Sequence, residues 1–321
     1  MTVGPADDVR AARTQARKQS LATIALLLVA GLGVAALTIS RVIDNQIPEQ
    51  PAVVDGALTG VLDAWSARFP ERDSEGYAAP APADIHALRT AMEWITQGMI
   101  QEASASAASA GYEVRTVSSS GGKIFVVTEG SDAEPRGWGT FFYRPSATSE
   151  VIVEVTHPAA DTDTETFGLA LFQRVGARAL LLAGAHRYAN DDGTADVAHT
   201  SLSIFQALHS ILATPSSIVI QPHGFEDGGR SDYFGDAVVS SGTAEPDQVT
   251  VSIAQSLERA GFDVCLYRGS RCSALAGTTN VQRRTLPGGA EFTHIELALP
   301  LRQNGKLRAK ALTAIATSLL H

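Results

Sequence analysis

The sequence predicts an α/β fold with a largely parallel sheet covered by helices on both faces. Two observations carry this. Short, predominantly apolar runs such as Val151–Val155, Ala179–Ala183 and Ile218–Ile220 have the character of strands buried on both sides, and they alternate with stretches of helical spacing. His157, His186 and His223 each follow such a run, at the carboxyl edge where open α/β sheets bind ligands. Composition agrees, since 321 residues with 45% hydrophobic and 18% charged side chains suffice for one large core and a small accessory region. The 25 basic against 34 acidic side chains give a net charge of −9. With no basic stripe to neutralise phosphates, nucleic acid is excluded as a partner.

Residues 1–19 form a basic segment carrying Arg10, Arg13, Arg17 and Lys18. Ser20–Ile39 follows without a charge, about the length a helix needs to cross a bilayer. The charge asymmetry keeps the N-terminus cytoplasmic, so residues 20–39 are expected to be a single-span signal anchor in the cytoplasmic membrane, with the body periplasmic or extracellular. A cleaved secretory signal is the alternative, because Val34-Ala35-Ala36 offers small residues; either way the body is exported. Residues 40–111 read as linker and helical region. Pro48–Ala52 is the linker, Val53–Arg68 a short amphipathic helix, and Gly76–Asp84 a second break. Ile85, Leu88, Met92, Ile95 and Met99 then recur at helical spacing in a pattern that continues to Ala110.

The α/β domain is expected over 112–321. A hairpin-like pair of strands meets across Ser120-Gly121-Gly122. Strand Val151–Val155 leads to helix Glu165–Val175, Ala179–Ala183 to helix Ser201–Ala213, and Ile218–Gln221 to a long loop. Helix Asp247–Ala260, strands Phe262–Tyr267 and Phe292–Leu299, and a helix near Lys306–Leu320 complete it. Cys265 and Cys272 flank a short loop and can form a disulfide in an oxidising compartment; two buried thiols are the alternative. Glycine pairs at 228–229 and 288–289 lack the strand-to-helix context of a nucleotide loop.

Histidines from separate strand ends, with an acid close behind one of them, suggest a metal site. His157, Asp161 and His223 are the expected ligands, with Glu165 as an alternative acid or merely a first-turn helix residue. Three such ligands leave a position open for water, whose pKa zinc lowers toward about 7. Glu296 alternates with Ile295 and Leu297, and a carboxylate in so apolar a strand is costly unless it meets a metal, a base or a cavity. It is the candidate general base, with an ion pair to Arg302 as its alternative role. Arg187 can clamp a substrate carboxylate through parallel hydrogen bonds. His186, Asn280 and Arg302 join it as expected substrate-binding residues, and His199 is expected to line the pocket or donate to an oxyanion. His209, His294 and His86 have weaker claims. No serine sits in a nucleophile elbow.

The order of these stretches resembles the zinc-dependent poly-γ-glutamate hydrolase family and, more remotely, N-formylglutamate amidohydrolases and zinc carboxypeptidases. His157, Asp161 and Thr164-Glu165 are similar to its histidine, acidic ligand and Thr-x-Glu stretch. AHTSLSIF at His199, His223-Gly224 and Ile295-Glu296 resemble three later motifs. The resemblance covers about residues 150–302 and departs from the family in Asp161, where glutamate is more usual, and in a shorter interval from histidine to acid. It implies a three-layer α/β/α sandwich with a mainly parallel mixed sheet, bound Zn2+, and hydrolysis of an amide beside a glutamate-like carboxylate. The expected substrates are acidic peptides, or γ-glutamyl or N-acyl-glutamate amides. The rival readings are a non-catalytic envelope module that binds acidic peptides or cell-wall fragments, and a structural envelope protein.

Overall fold

The computed structural model describes residues 53–54, 58–119, 122–131, 134–226 and 234–320, all within one unit, Gln50–His321. Among the described residues no helix is long and apolar enough to cross a membrane. The expected span at 20–39, the basic segment before it and the linker at Pro48–Ala52 lie outside them.

In chain order the strands are β1 Val53–Val54, β2 Tyr112–Ser119, β3 Gly122–Glu129, β4 Thr140–Tyr143, β5 Val151–Val155, β6 Ala179–Leu182, β7 Ile218–Phe225, β8 Ala237–Ser240, β9 Val264–Leu266 and β10 Glu291–Ala298. The helices are α1 Leu58–Ser66, α2 Pro82–Thr96, α3 Ile100–Ser109, α4 Thr164–Arg174, α5 Ile204–Leu212, α6 Gln248–Arg259, α7 Val281–Arg284, α8 Leu299–Gln303 and α9 Gly305–Leu319. The strands form one sheet in the order β1-β2-β3-β4-β6-β5-β7-β10-β8-β9.

Alternation along the strands explains the layers. Val151, Val153 and Val155 face a core shared with α1, α4, α6 and α9, whereas Ile152 faces the opposite core, shared with α2, α3 and α5. Each face is thus covered by helices, which is the three-layer arrangement. The amphipathic α5 places Phe205 and Leu208 fully inside; burying a side chain of this kind stabilises by about 1.5–3 kcal/mol.

The expectation of a mainly parallel sheet needs correction. Pairings β1–β2, β5–β6, β5–β7, β7–β10 and β8–β9 are parallel, but β2–β3, β3–β4, β4–β6 and β8–β10 are antiparallel. The parallel run is confined to the centre, β6-β5-β7-β10. Only two residues separate β2 from β3 in sequence, and so short a connection allows only antiparallel pairing. Strands β4 and β8, of four residues each, were not anticipated.

Two further expectations shift. The helix anticipated over 85–110 is two helices, broken where Gly98 adopts φ of 79°, a left-handed conformation that glycine takes without steric cost. Strand β7 does not stop at Gln221 but runs to Phe225, paired residue by residue with β10. His223 therefore lies within a strand rather than after it.

Candidate metal centre

The site is built on the carboxyl edge of the central parallel strands. Past β5, the N–H groups of Ala160 and Asp161 donate to the carbonyl of His157. This turn brings the Asp161 carboxylate back toward its own histidine, with Oδ2 3.6 Å from His157 Nδ1. Asp161 thus sits in the turn before α4, whose N-cap is Asp163. The same Oδ2 is 3.3 Å from His223 Nδ1, and the two rings meet edge to face at 4.9 Å. Potential ligand atoms of His157, Asp161 and His223 all lie within 4.8 Å of one another.

The register of β7 and β10 completes the constellation by placing Glu296 opposite His223 and His294 opposite Gln221. Period-two alternation aims His223, His294 and Glu296 away from the core that holds Ile220, Ile295 and Leu297. His294 lies against His223 with ring centroids 4.2 Å apart, and its Nε2 is 3.2 Å from Glu296 Oε1. Glu296 Oε2 is buried with no hydrogen-bond partner in the protein. His157, Arg187, His199, His223, His294 and Glu296 line a cleft of about 230 Å³, whose far wall is Ser273–Leu275 and Gly277–Asn280.

Behind the ligand positions, acceptors fix the imidazoles. Asp196 Oδ1 is 2.8 Å from His157 Nε2. A carboxylate accepts, so Nε2 carries a proton directed at Asp196, and Nδ1 is the nitrogen turned toward Asp161. Asp196 Oδ2 also accepts from Arg187 Nη2 at 2.6 Å and lies 3.0 Å from His199 Nδ1. Arg187 Nη1 is 3.3 Å from His157 Nδ1, and His199 Nε2 is 3.0 Å from Thr279 Oγ1.

Burial and charge shape the titration. Burial raises Asp161, yet hydrogen bonds from His157 and His223 and their charges outweigh it and hold the carboxyl well below the usual range. In Asp196 the same opposition, between burial and its partners His157, His199 and Arg187, ends equally low. For His157, burial is overcome by hydrogen bonds to Asp161 and Asp196, and its pKa is raised. Burial, reinforced by His294, pulls His223 down to about 4, leaving it the neutral imidazole that metal ligation requires. Two Nδ1 lone pairs and a carboxylate with oriented partners fit a divalent cation such as Zn2+.

Several expected site residues stand elsewhere. Glu165, in the first turn of α4, is not among the side chains that converge with His157 and His223. Its carboxyl is raised by burial. His186 stacks on Tyr188 and accepts from the Tyr188 N–H at 3.0 Å, outside the cleft. Arg302 is 1% exposed. Its guanidinium donates to the carbonyls of Leu297, Phe225 and Thr162, so it ties loops together beneath the site instead of meeting substrate or Glu296. Asn280 does line the cleft, but its Oδ1 caps α7 and its Nδ2 donates to Gln221 Oε1 at 2.8 Å. Cys265 and Cys272 form the expected disulfide.

Sequence reasoning missed Asp196 and underweighted His294. The first stands three residues before His199 in a loop with no periodicity. The second shares a strand face with Glu296, two residues away, which alternation alone could have shown.

No protein-family description matches the chain, and no curated protein matches it. Among solved structures it is similar to a bacteriophage poly-gamma-glutamate hydrolase, at 14% identity and a TM-score of 0.39 over 55% of this chain and 84% of that one. It is similar to the N-formylglutamate amidohydrolase of Ralstonia eutropha JMP134, at 11% identity and a TM-score of 0.42 over 57% of this chain and 96% of that one. A third likeness is to the zinc-free form of a protein called YNDL, at 15% identity and a TM-score of 0.42 over 59% of this chain and 92% of that one. Likenesses this distant leave the chemistry of the site to be argued from its own side chains.

Proposed function

We propose that this chain is a metal-dependent hydrolase that cleaves an amide beside a carboxylate. The observation that carries the reading is the convergence of His157 Nδ1, His223 Nδ1 and Asp161 Oδ2 beside a cleft that both histidines line together with Glu296. Zinc bound by these three residues would polarise the amide carbonyl and acidify water. Imidazole and carboxylate donors suit other divalent ions as well, and metal content decides among them.

Glu296 is the general base in this reading. Its Oε1 is engaged by His294 while Oε2 has no protein partner, so Oε2 takes the proton of the attacking water and passes it to the departing amine. Arg187 provides charge recognition. Its Nη1 lies 3.3 Å from His157 Nδ1 at the cleft and is available to a substrate carboxylate, while Asp196 retains Nη2. His199, with 43% of its side chain exposed at the cleft, is placed to donate to the developing oxyanion. A guanidinium beside the ligands favours a glutamate-like acidic group, so γ-glutamyl and N-acyl-glutamate amides are the first substrates to test.

The reading also places the domain outside the cytoplasm, held by residues 20–39. The uncharged stretch after a basic segment and the Cys265–Cys272 disulfide support this.

Elemental analysis beside an amidase assay tests the whole. About one zinc per chain is expected in the wild type, with loss of metal in His157→Ala and His223→Ala. Glu296→Gln is expected to keep the metal and lose activity by about 10²–10⁴-fold. Full amidase activity in Glu296→Gln, or no metal in the wild type, rejects the mechanism and favours a binding module.

A further inference from the structure

Behind the cleft, under α5, lies a polar chain that the proposed reaction does not use. Glu154 interrupts the valines of β5 and His209 interrupts the apolar face of α5; both are 0% exposed. His209 Nδ1 donates to Glu154 Oε1 at 2.6 Å. The other carboxylate oxygen, Oε2, accepts from Gln221 Nε2 at 2.9 Å. Gln221 is itself 0% exposed, and its Oε1 lies 3.2 Å from His223 Nε2.

Donor and acceptor roles in this chain are dictated from its ends. A carboxylate can only accept, so the amide nitrogen of Gln221 must face Glu154. Gln221 Nε2 also donates to Gln282 Oε1 at 3.2 Å. Gln282 is fixed in turn, because its Nε2 donates to the Val197 carbonyl at 2.9 Å. From the cleft side, Asn280 Nδ2 donates to Gln221 Oε1. Every neighbour thus sets the Gln221 carbonyl toward His223. A carbonyl oxygen there favours the tautomer with the proton on Nε2 and tolerates the Thr156 hydroxyl, 3.2 Å from the same nitrogen. Burying this much polarity is costly unless the arrangement is needed.

We propose that Glu154, which lies outside the cleft, is a positioning residue: through the Gln221 amide it fixes the orientation of the His223 ring and gives Nε2 an acceptor, so that Nδ1 is the nitrogen turned toward Asp161 and toward a bound cation. The inference rests on the reading of His223 as a ligand. Asp196 acts on His157 by direct contact, whereas Glu154 acts on His223 at one remove.

The test uses the full-length protein in detergent. Ring-nitrogen NMR of the zinc-loaded wild type is expected to show His223 bound through Nδ1 and protonated on Nε2, and ligation through Nε2 overturns the proposal. Zinc affinity, measured by competition with a chromophoric chelator, is then compared in Gln221→Leu and in the paired change Glu154→Leu with His209→Leu, which removes both members of the buried pair and leaves Gln221 Nε2 the Gln282 carbonyl as acceptor. Each is expected to weaken zinc by about 10–100-fold, and combining them should weaken it no further, since both act through one amide. A folded Glu154→Leu/His209→Leu protein with wild-type affinity and an unchanged His223 tautomer overturns the proposal. Should that variant not fold, the wild-type tautomer decides by itself. Zinc bound through His223 Nδ1 in a protein without amidase activity would sink the hydrolase reading while supporting the positioning role.

Discussion

A single carboxylate oxygen of Asp161 sits between two imidazole nitrogens, and a single carboxylate at Asp196 holds His157, Arg187 and His199. These two acids do different work, and their substitution should separate. Asp161→Asn removes a candidate ligand and is expected to abolish stoichiometric zinc. Asp196→Asn keeps the ligands but loosens the imidazole behind them, and is expected to weaken zinc by about 10–100-fold in a chelator competition. Much of the site was legible because strand ends betray themselves: His157 follows a run that is apolar but for Glu154, and Glu296 interrupts another. Asp196 was not legible, since a loop residue acquires its role only from what folding brings to it. Arg302 misled for the opposite reason. A charged residue beside a predicted site invites a substrate, yet carbonyls from β7, β10 and the turn before α4 satisfy this guanidinium inside the protein.

At the scale of elements, β7 and β10 carry the site because their register is fixed over eight residue pairs. Gly224, the neighbour of His223, leaves the space that the Arg302 guanidinium fills. A Cβ there would lie 2.3 Å from Arg302 Cζ. Gly224→Ala is therefore expected to displace Arg302 and to cost about 1–3 kcal/mol, the usual range for overpacking, read by urea unfolding of the purified protein. Strands β5 and β10 and helices α4, α6 and α9 were legible to within a residue at their ends, whereas β7 runs four residues further than expected and α5 starts three residues later. Strands β4 and β8, of four residues each, were not legible. The single helix expected over 85–110 failed for a local reason: apolar spacing continues across Gly98, but the backbone there does not.

Across the whole molecule, the metal-free protein should lose stability in mild acid. His223 titrates at about 4 when folded against an ordinary value of 6.5, so between those values the unfolded chain binds the extra proton. Stability then falls as pH drops from about 6.5 to 4, by at most about 3 kcal/mol from this group. His157, with its raised pKa, contributes in the opposite sense: its stabilisation is present in acid and lost as pH rises through its folded value. Asp161 and Asp196, held low, lose theirs only at more acid pH. Unfolding in chelator at pH 7 and pH 4.5 should therefore show a smaller acid loss in His223→Gln than in the wild type, and an equal loss would refute the assignment. The membrane anchor is tested separately: carbonate washing of membranes is expected to leave the protein in the pellet, and release would contradict a spanning segment.

The disulfide has a consequence for where such a protein can mature. Cys272 is followed directly by Ser273–Leu275, which forms part of the far wall of the cleft. His157, Asp161, His223 and Glu296 are placed by the sheet, but that wall is stapled to β9 by a bond that a reducing compartment does not sustain. Ligand assembly and enclosure of the cleft are therefore separable events. A chain retained among cytoplasmic thiols would hold its donors in register yet leave the pocket without one fixed side, and export would complete the enclosure. In chemical terms, forming one sulfur–sulfur bond would be the last step in enclosing the cleft.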